Sequence, residues 1–169
     1  MRIRWVVGAV LAVAVIGGGP EPPPVEAQCA GSYDAKAGSN FAPCPPAPKL
    51  SLYKRLGGRE GIAGVVDDFV ANMVADARVN GRFKSMPPPA VFKLKSNLSD
   101  QICETSGGPC SYLGRDMKTT HTGMQVTEAE WNATVEDLVK ALDKRKVDAP
   151  SKQELLGMLG SMKRDIVGR

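Results

Sequence analysis

The sequence predicts an all-α domain over residues 50–169, preceded by an export signal and a proline-rich linker. Three observations carry that expectation. From Leu50 onward apolar residues recur at three- and four-residue steps, the period of one helix face. No stretch alternates apolar and polar residues in the manner of a half-buried strand. Twice a hydroxyl residue stands three positions before a glutamate, as Thr127 with Glu130 and Ser151 with Glu154, which is the pattern that opens a helix. There are no internal repeats, and the helical unit is long enough for one core.

Residues 1–27 read as a signal peptide. Arg2 and Arg4 give the positive start, Trp5 to Ile16 is an apolar run, and Val25-Glu26-Ala27 offers small residues to a signal peptidase. The run is shorter than the about 20 apolar residues of a membrane span, and Gly17-Gly18-Gly19-Pro20 stops it from lengthening. The expectation is therefore an exported, periplasmic protein, with an uncleaved N-terminal anchor as the alternative. Residues 28–49 are a disordered linker, rich in Gly, Ser, Ala and Pro and too poor in apolar residues to fold alone.

The formal net charge is +4, and losing Arg2, Arg4, Glu21 and Glu26 with the signal leaves it unchanged. Basic residues are scattered among acidic ones, with no aromatic interleaving, so no nucleic-acid partner is expected. The four cysteines, Cys29, Cys44, Cys103 and Cys110, suggest disulfides in an exported chain. Three pairings are open, of which the local one, Cys29–Cys44 with Cys103–Cys110, is the simplest. A four-cysteine zinc site is the competing reading, weakened because no Cys-x-x-Cys pair exists.

Leu52, Tyr53 and Leu56 form a short helix face that ends at Gly57-Gly58. Ile62, Val65, Val66, Phe69, Val70, Met73 and Val74 make the stripe of a longer helix. Asp76 to Gly81 is a turn, followed by Phe83. After Pro87-Pro88-Pro89 a helix is expected from Pro89 or Ala90, with Val91, Leu94, Leu98 and Ile102 on its apolar face. Gly107-Gly108-Pro109 stops it. Beyond Thr127 the face is Trp131, Val135, Leu138, Val139 and Leu142, and beyond Ser151 it is Leu155, Leu156, Leu159, Met162 and Ile166.

Between these helices lies the only histidine of the chain, His121, delivered by a short amphipathic piece from Arg115 to Thr120. Neutral imidazole is the commonest protein ligand of a transition metal, and one imidazole in apolar surroundings is what a haem iron uses on its proximal side. A solitary histidine is also a common surface or core residue, so the surrounding residues decide. They run Leu52-Tyr53-x-x-Leu56-Gly57-Gly58, then Val66-Asp67-Asp68-Phe69, then Phe83. Gly107-Gly108-Pro109-x-x-Tyr112-x-Gly114-Arg115-x-Met117-Lys118-x-x-His121 follows. This ordered set resembles the group I truncated haemoglobins, which are two-over-two helical globins. The resemblance extends from Leu50 to Val167.

The resemblance implies a truncated two-over-two globin fold and a haem cofactor with His121 as proximal iron ligand. Its second ring nitrogen would be held by a backbone carbonyl or a carboxyl group. Phe83 matches the aromatic that packs on the haem near the distal side. Phe69, Leu94, Leu98, Tyr112, Met117, Val126 and Trp131 are implied for the apolar cage, and each is also a plausible ordinary core residue. Arg115 and Lys118, or Lys93 and Lys95, are implied as partners of the haem propionates, against the plainer reading of a solvated face. No Cys-x-x-Cys-His signature is present, so the haem is expected to be haem b, bound non-covalently.

Two departures from the family pattern bear on function. The family usually has a tyrosine directly after the phenylalanine of the second helix, where this chain has Val70. A glutamine often stands on the distal helix where this chain has Leu98. Both usual donors to a bound gas are then hydrocarbon, unless a rotated distal helix brings in Asn97 or Gln101. Losing a charge-assisted hydrogen bond worth about 1.5–3 kcal/mol should speed oxygen release by roughly ten- to a hundredfold. Met86 is a remote candidate sixth ligand. The expected function is reversible binding of O2, NO or CO, or sensing of them, rather than efficient turnover. NO dioxygenation or nitrite reduction would need an electron donor that the chain does not encode. The alternative is a cofactor-free helical interaction module of the cell envelope. A hydrolase has no support, since one histidine without a nucleophile elbow cannot build a triad.

Overall fold

The computed structural model describes residues 49–169. The expected signal peptide, most of the linker, and any pairing of Cys29 with Cys44 lie outside the described residues.

The described chain is helical, and its one β-type contact is an isolated bridge between Val126 and Val167. Helix α1 is Leu52–Arg55. Ser51 caps it by accepting from the Lys54 N–H. Gly57, with φ of 85°, turns the chain into α2, Gly58–Ala75. The expected stripe of α2 is buried at Ile62, Val65, Val66, Phe69, Val70 and Met73. Val74 departs from it and is 39% exposed. It lies one residue, about 100°, past Met73 and so points off the face.

A 3-10 turn at Asn80–Arg82 leads to α3, Pro88–Thr105. This helix starts one residue earlier than the proline pattern suggested. Pro87 is the extended N-cap, and Pro88 and Pro89 fill the first turn, where a backbone N–H has no partner to lose. Ile102 is buried, while Val91, Leu94 and Leu98 are half-buried against the core. Helix α4 is Met117–His121 and α5 is Glu128–Lys144. The expected capping box of α5 is present: Glu130 N–H donates to Thr127 Oγ1, and Thr127 N–H donates to Glu130 Oε2 at 2.8 Å.

The second expected capping box is not formed. Helix α6 runs Ala149–Met162, three residues earlier than expected, and its N-cap is Asp148. Asp148 accepts from the Ser151 N–H at 2.9 Å. Pro150 sits comfortably in the first turn, so the helix need not wait for it to pass. Ser151 is thereby carried inside the helix, where it is completely buried.

Helix α2 is the centre of the unit. It packs against α3 on one side and α5 on the other, while α1 rests on α2 and α6. Ile62, Leu142 and Leu155 are each at most 1% exposed in the shared core. Each such side chain contributes about 1.5–3 kcal/mol of burial energy. Helix α4 stands apart from this stack and packs mainly on a second 3-10 turn, Lys163–Asp165, which follows α6.

Candidate functional site

His121 closes α4, and the local sequence explains its placement. Asp116 starts the helix by accepting from the Thr119 N–H at 2.8 Å. Hydrogen bonds from Thr119, side chain and backbone, hold the Asp116 carboxyl below its ordinary range. One turn later His121 Nδ1 lies 2.8 Å from the Met117 carbonyl oxygen. A carbonyl can only accept, so Nδ1 carries the proton and donates. Nε2 then presents its lone pair away from the helix. The ring is half-buried. The anticipated carbonyl clamp on the second nitrogen is thus a feature of the fold.

The C-terminal end of the chain supports the same region. Gly168 N–H donates to the Val126 carbonyl at 2.9 Å, and Val126 is bridged to Val167. The 3-10 turn at 163–165 carries α4. From the opposite helix α3, Gln101 Nε2 reaches Met162 Sδ at 3.5 Å. The start of α5, the end of α6, α4 and the α3 face around Gln101 are therefore gathered at one end of the unit.

Half-buried apolar side chains are concentrated on these elements. Trp131, Val135 and Val139 occur every fourth residue on α5, Met117 opens α4, Met162 ends α6 and Ile166 follows the second 3-10 turn, and all six are half-buried. None of these six belongs to the sealed core formed by α2, α5 and α6. Val135, Val139 and Met162 were not singled out from the sequence as cage residues. For Val135 and Val139 the signal was present in their four-residue spacing from Trp131, but it is indistinguishable from an ordinary core stripe until burial is known.

The structure sorts the other candidates. Phe69 is 7% exposed and Val126 is 9% exposed, both with the core-type burial of their alternative reading. Phe83, Leu94 and Leu98 are half-buried hydrophobics against that core. Tyr112 is half-buried and donates its hydroxyl to the Arg115 carbonyl at 2.8 Å, which braces the loop before α4. Burial raises its phenol above the ordinary value. Arg115 and Lys118 are exposed and form no ion pair among the described residues, and the same holds for Lys93. Lys95 differs, because its Nζ is 2.8 Å from Asp67 Oδ1 on α2 and it is already partnered. Met86 is half-buried at the turn before α3.

Val70, expected to stand where the family has its tyrosine, is 2% exposed. Asn97 makes no side-chain hydrogen bond among the described residues, whereas Gln101 spends its amide on Met162.

The donor set limits the metal chemistry. Among the described residues no three His, Cys, Asp or Glu side chains converge on a point. A bare ion such as zinc needs about four protein ligands. Cys103 and Cys110 are joined in a disulfide with a Cα–Cα distance of 5.8 Å, which removes the four-cysteine zinc reading. A single imidazole with apolar neighbours suits a metal that brings its own equatorial donors, as a porphyrin does. The residues present fit that group.

Known proteins place the chain consistently. It is 28% identical over 120 residues to the group 1 truncated hemoglobin GlbN of Mycolicibacterium paratuberculosis, covering 71% of this chain and 86% of that one. It resembles the crystal structure of truncated hemoglobin from Tetrahymena pyriformis with a TM-score of 0.66 at 25% identity, covering 71% of this chain and all of that one. The 2/2 hemoglobin of Synechococcus sp. PCC 7002, solved in the cyanomet state with covalently attached heme, superposes with a TM-score of 0.64 at 27% identity over 71% of this chain and all of that one. The bacterial-like globin profile matches residues 51–167, from the cap of α1 to the bridge at Val167. With its described helices and its clamped histidine inside that match, the chain belongs to the bacterial-like globin family.

Proposed function

We propose that this globin is a haem protein that binds O2, NO or CO reversibly, with His121 as the axial protein ligand. When bound, haem supplies an iron centre with one position open to a diatomic gas. The observation that carries the reading is the Nδ1–Met117 hydrogen bond, which fixes the tautomer and aims Nε2 outward. Trp131, Val135, Met162 and Ile166 supply apolar surface that excludes water from a flat apolar cofactor. Arg115, Lys118 and Lys93, exposed and without an ion pair among the described residues, are suited to carboxylate side arms. Lys95 is not, because Asp67 holds it.

The haem is of the b type and held without a covalent bond. Support comes from the absence of a Cys-x-x-Cys-His signature and from the mutual pairing of Cys103 with Cys110. With Val70 and Leu98 as hydrocarbon, the ligand side is largely apolar. Gas binding or sensing suits it better than a reaction that depends on a long-lived oxygen complex. The cofactor-free interaction module is not favoured, since a globin family matches nearly the whole described unit. Export to an oxidising compartment is the localisation we propose, supported by Arg2, Arg4 and the apolar run after them and by the use of a disulfide.

The test is the visible spectrum of haem-loaded protein, wild type against His121→Gly. Wild type should show a Soret band that shifts with CO. The variant should lose the histidine-ligated ferrous spectrum and regain it on adding free imidazole. A wild-type protein without a Soret band, or a variant with an unchanged ferrous spectrum, overturns the assignment.

A further inference from the structure

We infer that Cys110 is a thiol-exchange site for a dithiol reductant, and that the Cys103–Cys110 bond is a reducible tether governing the segment that carries His121. The coupling to the cofactor rests on the function proposed above; the exchange chemistry does not.

The two sulfurs are placed asymmetrically. Cys103 is 0% exposed, in the last turns of α3. Cys110 is partly exposed in the loop beyond Gly107-Gly108-Pro109. Only Cys110 is open to an incoming thiolate. It also has a cationic neighbour, because Arg59 Nη1 lies 3.0 Å from Cys110 Sγ. Arg59 is held there by Asp100 on α3, at 2.9 Å from its other nitrogen. A guanidinium beside a sulfur favours its thiolate form.

Access sets where the first attack lands, and Arg59 acts in the second step, where Cys110 is the leaving thiolate. A thiolate of the dithiol attacks Cys110 Sγ, the Cys103–Cys110 bond breaks, and its electron pair leaves on Cys103 Sγ, which takes up a proton. A mixed disulfide now joins the reductant to Cys110. The second thiol of the reductant, after losing its proton, attacks the reductant's own sulfur in that bond. Cys110 leaves as a thiolate beside Arg59. The dithiol becomes a disulfide, and the protein disulfide is reduced by two electrons.

The tether joins α3 to the segment that carries His121. Cys103 belongs to α3, and Cys110 begins the loop that ends at α4 and His121. Between Cys110 and Asp116 the side-chain bond Tyr112 to Arg115 is internal to the loop. It fixes the loop's shape but not its attachment. With the disulfide open, attachment near Cys110 falls to Arg59 and to the Gly108 N–H, which donates to the Cys103 carbonyl at 2.8 Å. Helix α4 itself rests mainly on the 163–165 turn. Reduction should therefore loosen the approach to His121 without unfolding the α2–α5 core.

The experiment uses the full chain in its oxidised form. Glutathione is added under native conditions, adducts are trapped with iodoacetamide, and the modified cysteine is identified by mass. Adducts should fall on Cys110 over Cys103 by about tenfold or more. Dithiothreitol should then reduce the bond with the helical circular dichroism retained. Reduced protein should exchange the amide hydrogens of residues 116–121 about threefold faster or more, while those of α2 stay protected. In haem-loaded protein the same reduction should speed haem transfer to apomyoglobin. The Cys103→Ser/Cys110→Ser variant should behave as reduced protein and ignore dithiothreitol. Reduction seen only in denaturant, or adducts on Cys103, overturns the exchange site. Unchanged exchange at 116–121 after reduction overturns the tether. A chain that takes up no haem yet shows both thiol results would reject the proposed function and leave this inference standing.

Discussion

Arg55 and Ser151 stand 96 residues apart in the chain, yet Arg55 Nη1 donates to Ser151 Oγ at 2.7 Å. The same hydroxyl donates to Asp148 Oδ2 at 2.7 Å. Ser151 thus links α1 to the N-terminus of α6 from a fully buried position. Arg55 also pairs with Glu154, whose side chain is 44% exposed.

Ser151→Ala should cost about 1–3 kcal/mol, because it removes both hydrogen bonds of a fully buried hydroxyl. Glu154→Ala should cost at most about 1 kcal/mol, as an exposed ion pair does. Urea unfolding of both variants checks this. Equal losses would restore the capping-box role for Ser151 and Glu154 and discredit the buried link.

Val70→Tyr should slow oxygen release by roughly ten- to a hundredfold, by returning a donor worth about 1.5–3 kcal/mol to the ligand side. Val70 is 2% exposed, so the larger ring should also lower stability by about 1–3 kcal/mol through overpacking. Val70→Phe separates the two effects, since it adds bulk without a hydroxyl. Stopped-flow oxygen displacement by CO is the measurement. Wild-type release already as slow as that of the tyrosine variant would refute an apolar ligand side.

Gly108→Ala should lower stability by about 1–3 kcal/mol. A Cβ there would lie 2.5 Å from Tyr53 Cδ2, 2.6 Å from Cys103 Sγ and 2.8 Å from the Cys103 carbonyl oxygen. The neighbours are a ring packed on the core, a tethered sulfur and backbone, so little can give way. Gly81→Ala is the comparison, since a Cβ there meets nothing within 4 Å. Thermal melts of the two should differ clearly, with Gly81→Ala close to wild type.

Acid stability should depend on Asp76. Hydrogen bonds from Arg78 lower its carboxyl from 3.8 to about 2. A carboxyl depressed in the folded state binds its proton more readily when unfolded. Its stabilising contribution is complete above pH 3.8 and is lost as the pH falls toward about 2. Asp76→Asn should therefore flatten the fall of the melting temperature across that window. The variant and wild type should differ most near neutral pH and converge at the acid end. Parallel curves down to the acid end would count against this origin of the acid sensitivity.

How much of this was legible beforehand follows from the range of each interaction. Helix periodicity, the Thr127–Glu130 box, the prolines opening α3 and the place of His121 in the order of glycine turns are all expressed within a few neighbouring residues. A linear reading captures them because hydrogen bonds and side-chain stacking in a helix reach only three or four positions. The same local logic failed at Ser151, because Asp148, three residues earlier, caps the helix and Ala149 and Pro150 join its first turn.

The sequence by itself determined an all-α globin-like chain with one imidazole to offer and hydrocarbon at Val70 and Leu98. Tertiary structure decided which apolar stripe is sealed core and which remains half-buried, and that distinction separates Leu138 and Leu142 from Val135 and Val139 on one helix. It decided that Lys95 belongs to Asp67, that Cys103 pairs with Cys110 under Arg59, and that Ser151 answers Arg55. Each of these contacts joins separate elements. Their partners are chosen by how helices stack, through burial and shape at a distance, and no spacing rule along the chain encodes that choice.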